Sequence, residues 1–150
     1  MPIPREFDFA NYDVEVAKLV HGENKYPAWT IIVSFYASLH LVRGKLFPLK
    51  DVQGSASILV ASFDHYCNLH QADSKSKHQK LIMLVAIHLP NISSKYKWLF
   101  DNSVTARYNN YNFDPSYGDT AYKYMEAIRT ECNPVIGSPA PVATPSISTA

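Results

Sequence analysis

The sequence predicts an all-α protein: an up-down bundle of four to six helices followed by a disordered C-terminal tail. Three observations carry that expectation. The stretch from Tyr26 to Leu46, YPAWTIIVSFYASLHLVRGKL, is apolar round most of a helical circumference, which marks a central helix with neighbours on several sides. Further segments carry apolar residues at steps of three and four, separated by Gly22, Pro48, Pro90 and an Asn/Pro/Gly-rich stretch. From Asn133 onward the composition changes to Pro, Ser, Thr and Ala, a mixture that cannot bury enough apolar surface to order itself.

The expected boundaries are therefore a bundle over residues 1–132 and a tail over 133–150. A chain of 150 residues is long enough for a sizeable core. Hydrophobic content of 47% with 18% charged residues suits a globular protein. The net charge is +1, so no global field favours a polyanion, and any nucleic-acid surface must be local. Ten tyrosines supply rings with a polar tip, suited to a core or an interface. Cys67 and Cys132 stand far apart with no CxxC partner, which argues against a disulfide scaffold and for reduced thiols. The leading MPIPREFDF lacks the apolar core of a secretory leader, and no apolar run reaches the roughly 18 residues of a membrane span. The expected location is cytoplasmic, with no membrane association.

In chain order, Asp8 or Asn11 is the expected cap of a first helix to about Val20. Val14, Ala17, Leu19 and Val20 should face inward, with Gly22 as a left-handed stop. Pro27 suits the first turn of the central helix, where its missing N–H would be unpaired anyway. Trp29, Ile32, Val33, Tyr36, Leu39 and Leu46 form the expected inward stripe, widened by Ile31, Phe35, Leu41 and Val42. Pro48 ends the helix near Phe47. Ser55–Cys67 fits a helix somewhat better than a strand. Residues 70–80, HQADSKSKHQK, read as a solvated loop. Lys80–Leu89 is an apolar helix stopped by Pro90. Another starts at Asn91 or Ser93, with Ile92, Tyr96, Leu99, Phe100 and Val104 on one face. The loop YNNYNFDPSYGD carries enough rings to be packed on something. Asp119 or Thr120 should cap a last helix, Ala121–Glu131, with Tyr122, Met125 and Ile128 inward.

Three segments have a familiar spacing. Trp29, Phe35, Tyr36 and His40 form an aromatic W-x5-F-Y-x3-H helix. Ser76-Lys77-His78 opens the next long helix, and Tyr96 and Leu99 lead to Ala106-Arg107-Tyr108. In these, over roughly residues 24–130, the chain resembles the HEPN superfamily, specifically its small bacterial members. The resemblance implies a four- or five-helix bundle, often a homodimer. It implies either a metal-independent RNase of toxin–antitoxin and phage-defence systems or a non-catalytic module that binds RNA, a nucleotide or a protein partner. The family's RNase motif, R-x4–6-H, is missing here: the matching positions after Arg107 are Asn112, Phe113 and Asp114.

RNA cleavage without metal needs a base or acid titrating near neutrality and a cation for the developing phosphorane charge. His40, His78 and Arg107 are the candidate catalytic set, with Tyr36 one turn before His40 to orient it. The bland alternative places His40 on a carbonyl or tyrosine inside the bundle and Arg107 at a helix C-terminus. Tyr36, Arg43, Lys77 and Tyr108 are the candidate binding residues. Lysines 75, 77, 80, 95 and 97 alternate with Tyr96 and Trp98, which would combine phosphate neutralisation with stacking. Tyr96 and Trp98 lie two apart, however, so one belongs to the core. His65 and His70 flank Asp64 and Cys67 only loosely, five apart and off one helical face, so no metal site is expected. No P-loop, GxGxxG, HExxH or GxSxG occurs, and no cofactor is expected.

Overall fold

A computed structural model of the chain describes residues 5–53 and 56–134. Among them are six α-helices, α1 (Arg5–Glu23), α2 (Pro27–Leu46), α3 (Phe63–Leu69), α4 (Lys77–His88), α5 (Ser93–Tyr108) and α6 (Pro115–Cys132). A hairpin of β1 (Leu49–Gln53) and β2 (Ala56–Val60) interrupts them, and a 3-10 turn over Pro90–Ile92 leads into α5. The all-α bundle expected from the pattern is the architecture observed. The tail expected to be disordered lies, beyond Pro134, outside the described residues.

α2 is the central element, packed by α1, α4, α5 and α6. Pro27 occupies its first turn, and it ends at Phe47, whose extended backbone N–H bonds the Arg43 carbonyl. Its deepest side chains are Ile31, Phe35, Leu41 and Val42, all fully buried. Trp29, placed in the inward stripe by the sequence reading, is 51% exposed. The helical angle explains the difference: Trp29, Val33, Tyr36, His40 and Arg43 share a face turned away from Ile31 and Phe35. That face is the half-covered side of α2, not its core.

Close approach of the helices rests on small residues. Ala10 and Ala17 of α1, Ser34, Ala37 and Ser38 of α2, and Ala121 of α6 are buried without exception. At Gly44 a Cβ would sit 2.5 Å from the Phe7 ring, so α1 and α2 meet there with no room for a side chain. α6 begins against the start of α2, where a Cβ on Gly118 would lie 3.2 Å from the Pro27 Cα.

Several expected boundaries shift. α1 starts at Arg5 rather than at a cap on Asp8 or Asn11, and its buried set is Phe7, Ala10, Val14 and Ala17. That spacing turns Leu19 out to 69% exposure. Gly22 lies inside the helix; the left-handed stop is Asn24, with φ of 52°, a conformation Asn tolerates. Ser55–Cys67, expected as one helix, divides into β2 and α3. Ile58, Leu59 and Val60 are β-formers in an antiparallel pair, with Leu49 opposite Val60 and Asp51 opposite Ile58. Ser62 then caps α3 by accepting the His65 N–H. α4 begins at Lys77, inside the expected loop, because Ser76 and Gln79 form a reciprocal capping box. α6 also starts earlier, with Asp114 as cap and Pro115 in the first turn.

Phe35 tests the packing. Its ring is fully buried and meets the rings of Tyr36, His78, Tyr96 and Phe100 at centroid distances of 5.4, 6.0, 6.0 and 5.7 Å. Phe35→Ala should cost about 3–5 kcal/mol of stability in urea unfolding, whereas Trp29→Ala should cost no more than about 1 kcal/mol.

Candidate functional site

The capping box at Ser76 fixes the first turn of α4 and so places His78, whose ring packs on Phe100 at 5.0 Å and on Phe35. From α5, Arg107 reaches across to α2: Nη1 donates to the Tyr36 hydroxyl at 3.0 Å. Its Nε donates to the Ser103 carbonyl at 3.2 Å, and Nη2 lies 3.5 Å from Ser103 Oγ. The guanidinium also sits 5.7, 5.6 and 5.2 Å from the rings of Phe35, Tyr36 and Tyr108, within cation–π range. Tyr36, His78 and Arg107 are thus assembled round Phe35, from three separate helices.

Arg107 is half-buried, and every polar partner it has is neutral. Among the described residues no carboxylate lies within 4 Å of it. Other cations are engaged otherwise: Arg43 by Glu6 and Asp64, Lys97 by Asp101, Arg129 by Glu126. Arg107 also lines an open hollow of about 370 Å³ with Tyr108, Asn109, Asn110, Tyr111 and Asn112. No acidic side chain borders that hollow. Tyr108 and Tyr111 are 74% and 63% exposed, so the ring-bearing loop is less packed than its sequence suggested. Tyr111 instead faces Trp29, with centroids 6.5 Å apart and planes 20° from parallel.

His78 is held below the usual histidine range by burial first and by the neighbouring Arg107 charge second. Neutral imidazole is therefore its dominant form near pH 7, as a general base requires.

His40 does not join this cluster. Its Nδ1 bonds Glu6 at 2.6 Å and its Nε2 lies 3.9 Å from Asp13, both on α1. Phe9 covers its ring at 5.2 Å. Tyr36, expected to orient His40, accepts from Arg107 through its hydroxyl instead. Arg43 shares Glu6 with His40, its Nε 3.1 Å from Oε1, close enough for ion pairing but off line for a hydrogen bond. Asp13 is raised above the ordinary carboxylate range by burial, which the His40 charge opposes. This is a polar clasp between α1 and α2.

The lysine stretch disperses too. Lys80 is buried and donates to the His70 carbonyl at 2.9 Å, Lys95 lies over Tyr124, and Lys77 stays exposed on the first turn of α4. Tyr96 belongs to the core, at 1% exposure. Trp98 packs against Tyr117 and Tyr124. His70 pairs with Asp51 at 2.6 Å, and no group of three or more metal-binding side chains occurs among the described residues. No helix among the described residues is long and apolar enough to cross a membrane.

Sequence reasoning missed Tyr26 and Trp29 as surface residues. A helical projection about Phe35 would have turned Trp29 outward. Comparison with known protein families, characterised proteins and solved structures gave no match.

The pairing of His78 with Arg107 has a direct readout. In Arg107→Met the His78 pKa should rise toward the ordinary histidine value, followed by NMR titration of its ring protons. Because the folded state disfavours the charged imidazole, His78 contributes stability above the unfolded-state pKa near 6.5, and that contribution is lost as pH falls. The Arg107→Met variant should lose less of it.

Proposed function

We propose that the chain is a HEPN-like bundle that binds RNA through the surface formed by Arg107, Tyr108 and the following loop. One observation carries the reading: a half-buried arginine, oriented by neutral acceptors and without a carboxylate among the described residues, opens into a hollow beside an exposed tyrosine. A guanidinium so held has free N–H groups for phosphate oxygens. Tyr108 offers a stacking face, and Asn109, Asn110 and Asn112 offer donors and acceptors to base edges. Lys77, exposed beside His78, adds a further phosphate contact. The three segments behind the HEPN resemblance supply Tyr36, His78 and Arg107, which meet in this one place and support the reading. A free nucleotide, a homodimer and a bacterial defence or toxin–antitoxin setting rest on the resemblance alone, a cytoplasmic location on the cysteine pattern, and a protein partner on the resemblance and the aromatic-rich surface.

Anisotropy with a fluorescein-labelled single-stranded RNA of about twelve nucleotides tests the proposal. Arg107→Ala should weaken binding roughly ten- to a hundredfold, as for loss of a charged hydrogen-bond donor, and Tyr108→Ala roughly tenfold. His40→Ala, which leaves the surface intact, should bind as the parent does. Equal affinity for the parent and Arg107→Ala would move RNA binding elsewhere or remove it.

A second reading has its own observation. Neutral His78 next to cationic Arg107 is the pair that metal-free cleavage of an RNA phosphodiester requires, a base for the 2′-hydroxyl and a charge for the phosphorane. His40, held by Glu6 and Asp13, has no part in it. RNA cleavage in EDTA should then vanish in both His78→Ala and Arg107→Ala and persist in His40→Ala. Absence of cleavage by the parent chain over several RNAs leaves binding as the function.

A further inference from the structure

The turn between α1 and α2 sets two rings on the surface. Asn24, in the left-handed region, donates its N–H to the His21 carbonyl at 3.0 Å, and Pro27 packs against α6 at Gly118. Between them the Tyr26 carbonyl accepts both the N–H and the hydroxyl of Thr30, at 2.9 and 3.1 Å. Tyr26 and Trp29, 54% and 51% exposed, are thus carried by backbone with little freedom. With Lys25, Pro27, Ala28 and Tyr111 they line a hollow of about 270 Å³. Tyr111 comes from the loop after α5, which is held by its own hydrogen bonds. The Asn112 N–H donates to the Asn110 side-chain oxygen at 2.8 Å, and the Phe113 N–H to the Tyr111 carbonyl at 3.0 Å.

The Trp29 and Tyr111 rings have centroids 6.5 Å apart and planes 20° from parallel. Stacked bases lie about 3.4 Å apart, so this spacing is close to the roughly 7 Å that two flat rings need to take a third between them. Three rings round a hollow can also cage a quaternary ammonium, but the charge at this one has the wrong sign. Lys25 stands on the rim and no carboxylate borders the hollow. Nor does Lys25 form an ion pair among the described residues. Flat rings beside an uncompensated cation suit a base joined to a phosphate. Tyr111 also borders the hollow at Arg107, so a strand lying on Arg107 continues past these rings. We propose that one nucleobase of that strand inserts at Trp29 and Tyr111, with its phosphate on Lys25. The course of the strand rests on the reading of Arg107; the fit of a base to the ring slot does not.

The test reads Trp29 emission in the full chain carrying Trp98→Phe, which leaves Trp29 as its single indole. Single-stranded RNA of about twelve nucleotides should quench that emission, because a stacked base lies against the indole. Adenosine 5′-monophosphate serves as the minimal probe: quenching by it shows that a lone base with its phosphate suffices. Quenching by RNA alone also supports the slot, as a subsite filled once the strand is anchored. By anisotropy, Trp29→Ala and Tyr111→Ala should each weaken RNA binding roughly tenfold, and Trp29→Phe much less, since a ring remains. Both side chains are exposed, so their removal spares the core. Lys25→Gln should lower the slope of log affinity against log salt by about one. Trp29 emission unchanged by bound RNA, or equal RNA affinity in the parent, Trp29→Ala and Tyr111→Ala, would overturn the slot and leave the reading of Arg107 standing. Quenching of Trp29 with RNA affinity indifferent to Arg107→Ala would do the reverse.

Discussion

Burial of the Phe35 ring is the constraint on which the rest depends. There α2, α4 and α5 are held together by aromatic contacts, through Tyr36, His78, Tyr96 and Phe100. The same ring forms the floor beneath Arg107. A large apolar side chain placed there does two things at once. It removes from water the surface that stabilises the bundle, and it lowers the local dielectric under a cation and an imidazole. Electrostatic effects at such a position are stronger than on an open surface. Stability and site chemistry thus rest on one side chain.

Charge is distributed with a matching logic. The clasp of His40, Arg43, Glu6 and Asp13 balances positive and negative groups between two helices and leaves little field to attract a ligand. His21 bonds Asp119 at 2.8 Å and stacks on Tyr122, tying the end of α1 to the start of α6 in a similar way. At Arg107 the balance is broken. Its hydroxyl, carbonyl and ring partners position the guanidinium without cancelling its charge, so an anion approaching from solvent meets a cation already oriented. What sets Arg107 apart is that it is held by several neutral partners while half-buried, and residue type alone does not reveal that.

Much of the fold was legible in the sequence because it rests on local signals. Pro27 and Pro48 bound α2, Pro90 stops α4, and the apolar content of α2 announces its central place. Errors arose where short segments had to choose between periods. ASILV has too few residues to show helical or strand spacing, and pairing with β1 decided it. Composition alone hid the first turn of α4 in a polar stretch, whereas the resemblance had Ser76-Lys77-His78 opening that helix, and the Ser76-x-x-Gln79 capping pattern agrees with it. The site was legible in its residue types but not in its partners. His40 and Tyr36 share a face of α2, one turn apart, yet α1 claims one and α5 the other. No spacing rule within a helix foretells which neighbour crosses at which turn, and Trp29 was misplaced by an error of angle on that same face.

The hairpin has a consequence for how the protein behaves in bulk. β2 reads Ala56-Ser57-Ile58-Leu59-Val60, without a charge or a proline, and Leu59 is 62% exposed. Only β1 pairs with it among the described residues, and the charges of the hairpin, Lys50 and Asp51, both lie on β1 and offset each other. Strand edges of this composition recruit further strands, and charged gatekeepers ordinarily prevent it. With a net charge of only +1 over the whole chain, long-range repulsion between molecules is feeble. Contact between molecules in concentrated solution is therefore favoured at this edge, and Leu59→Lys would place a gatekeeper charge on it.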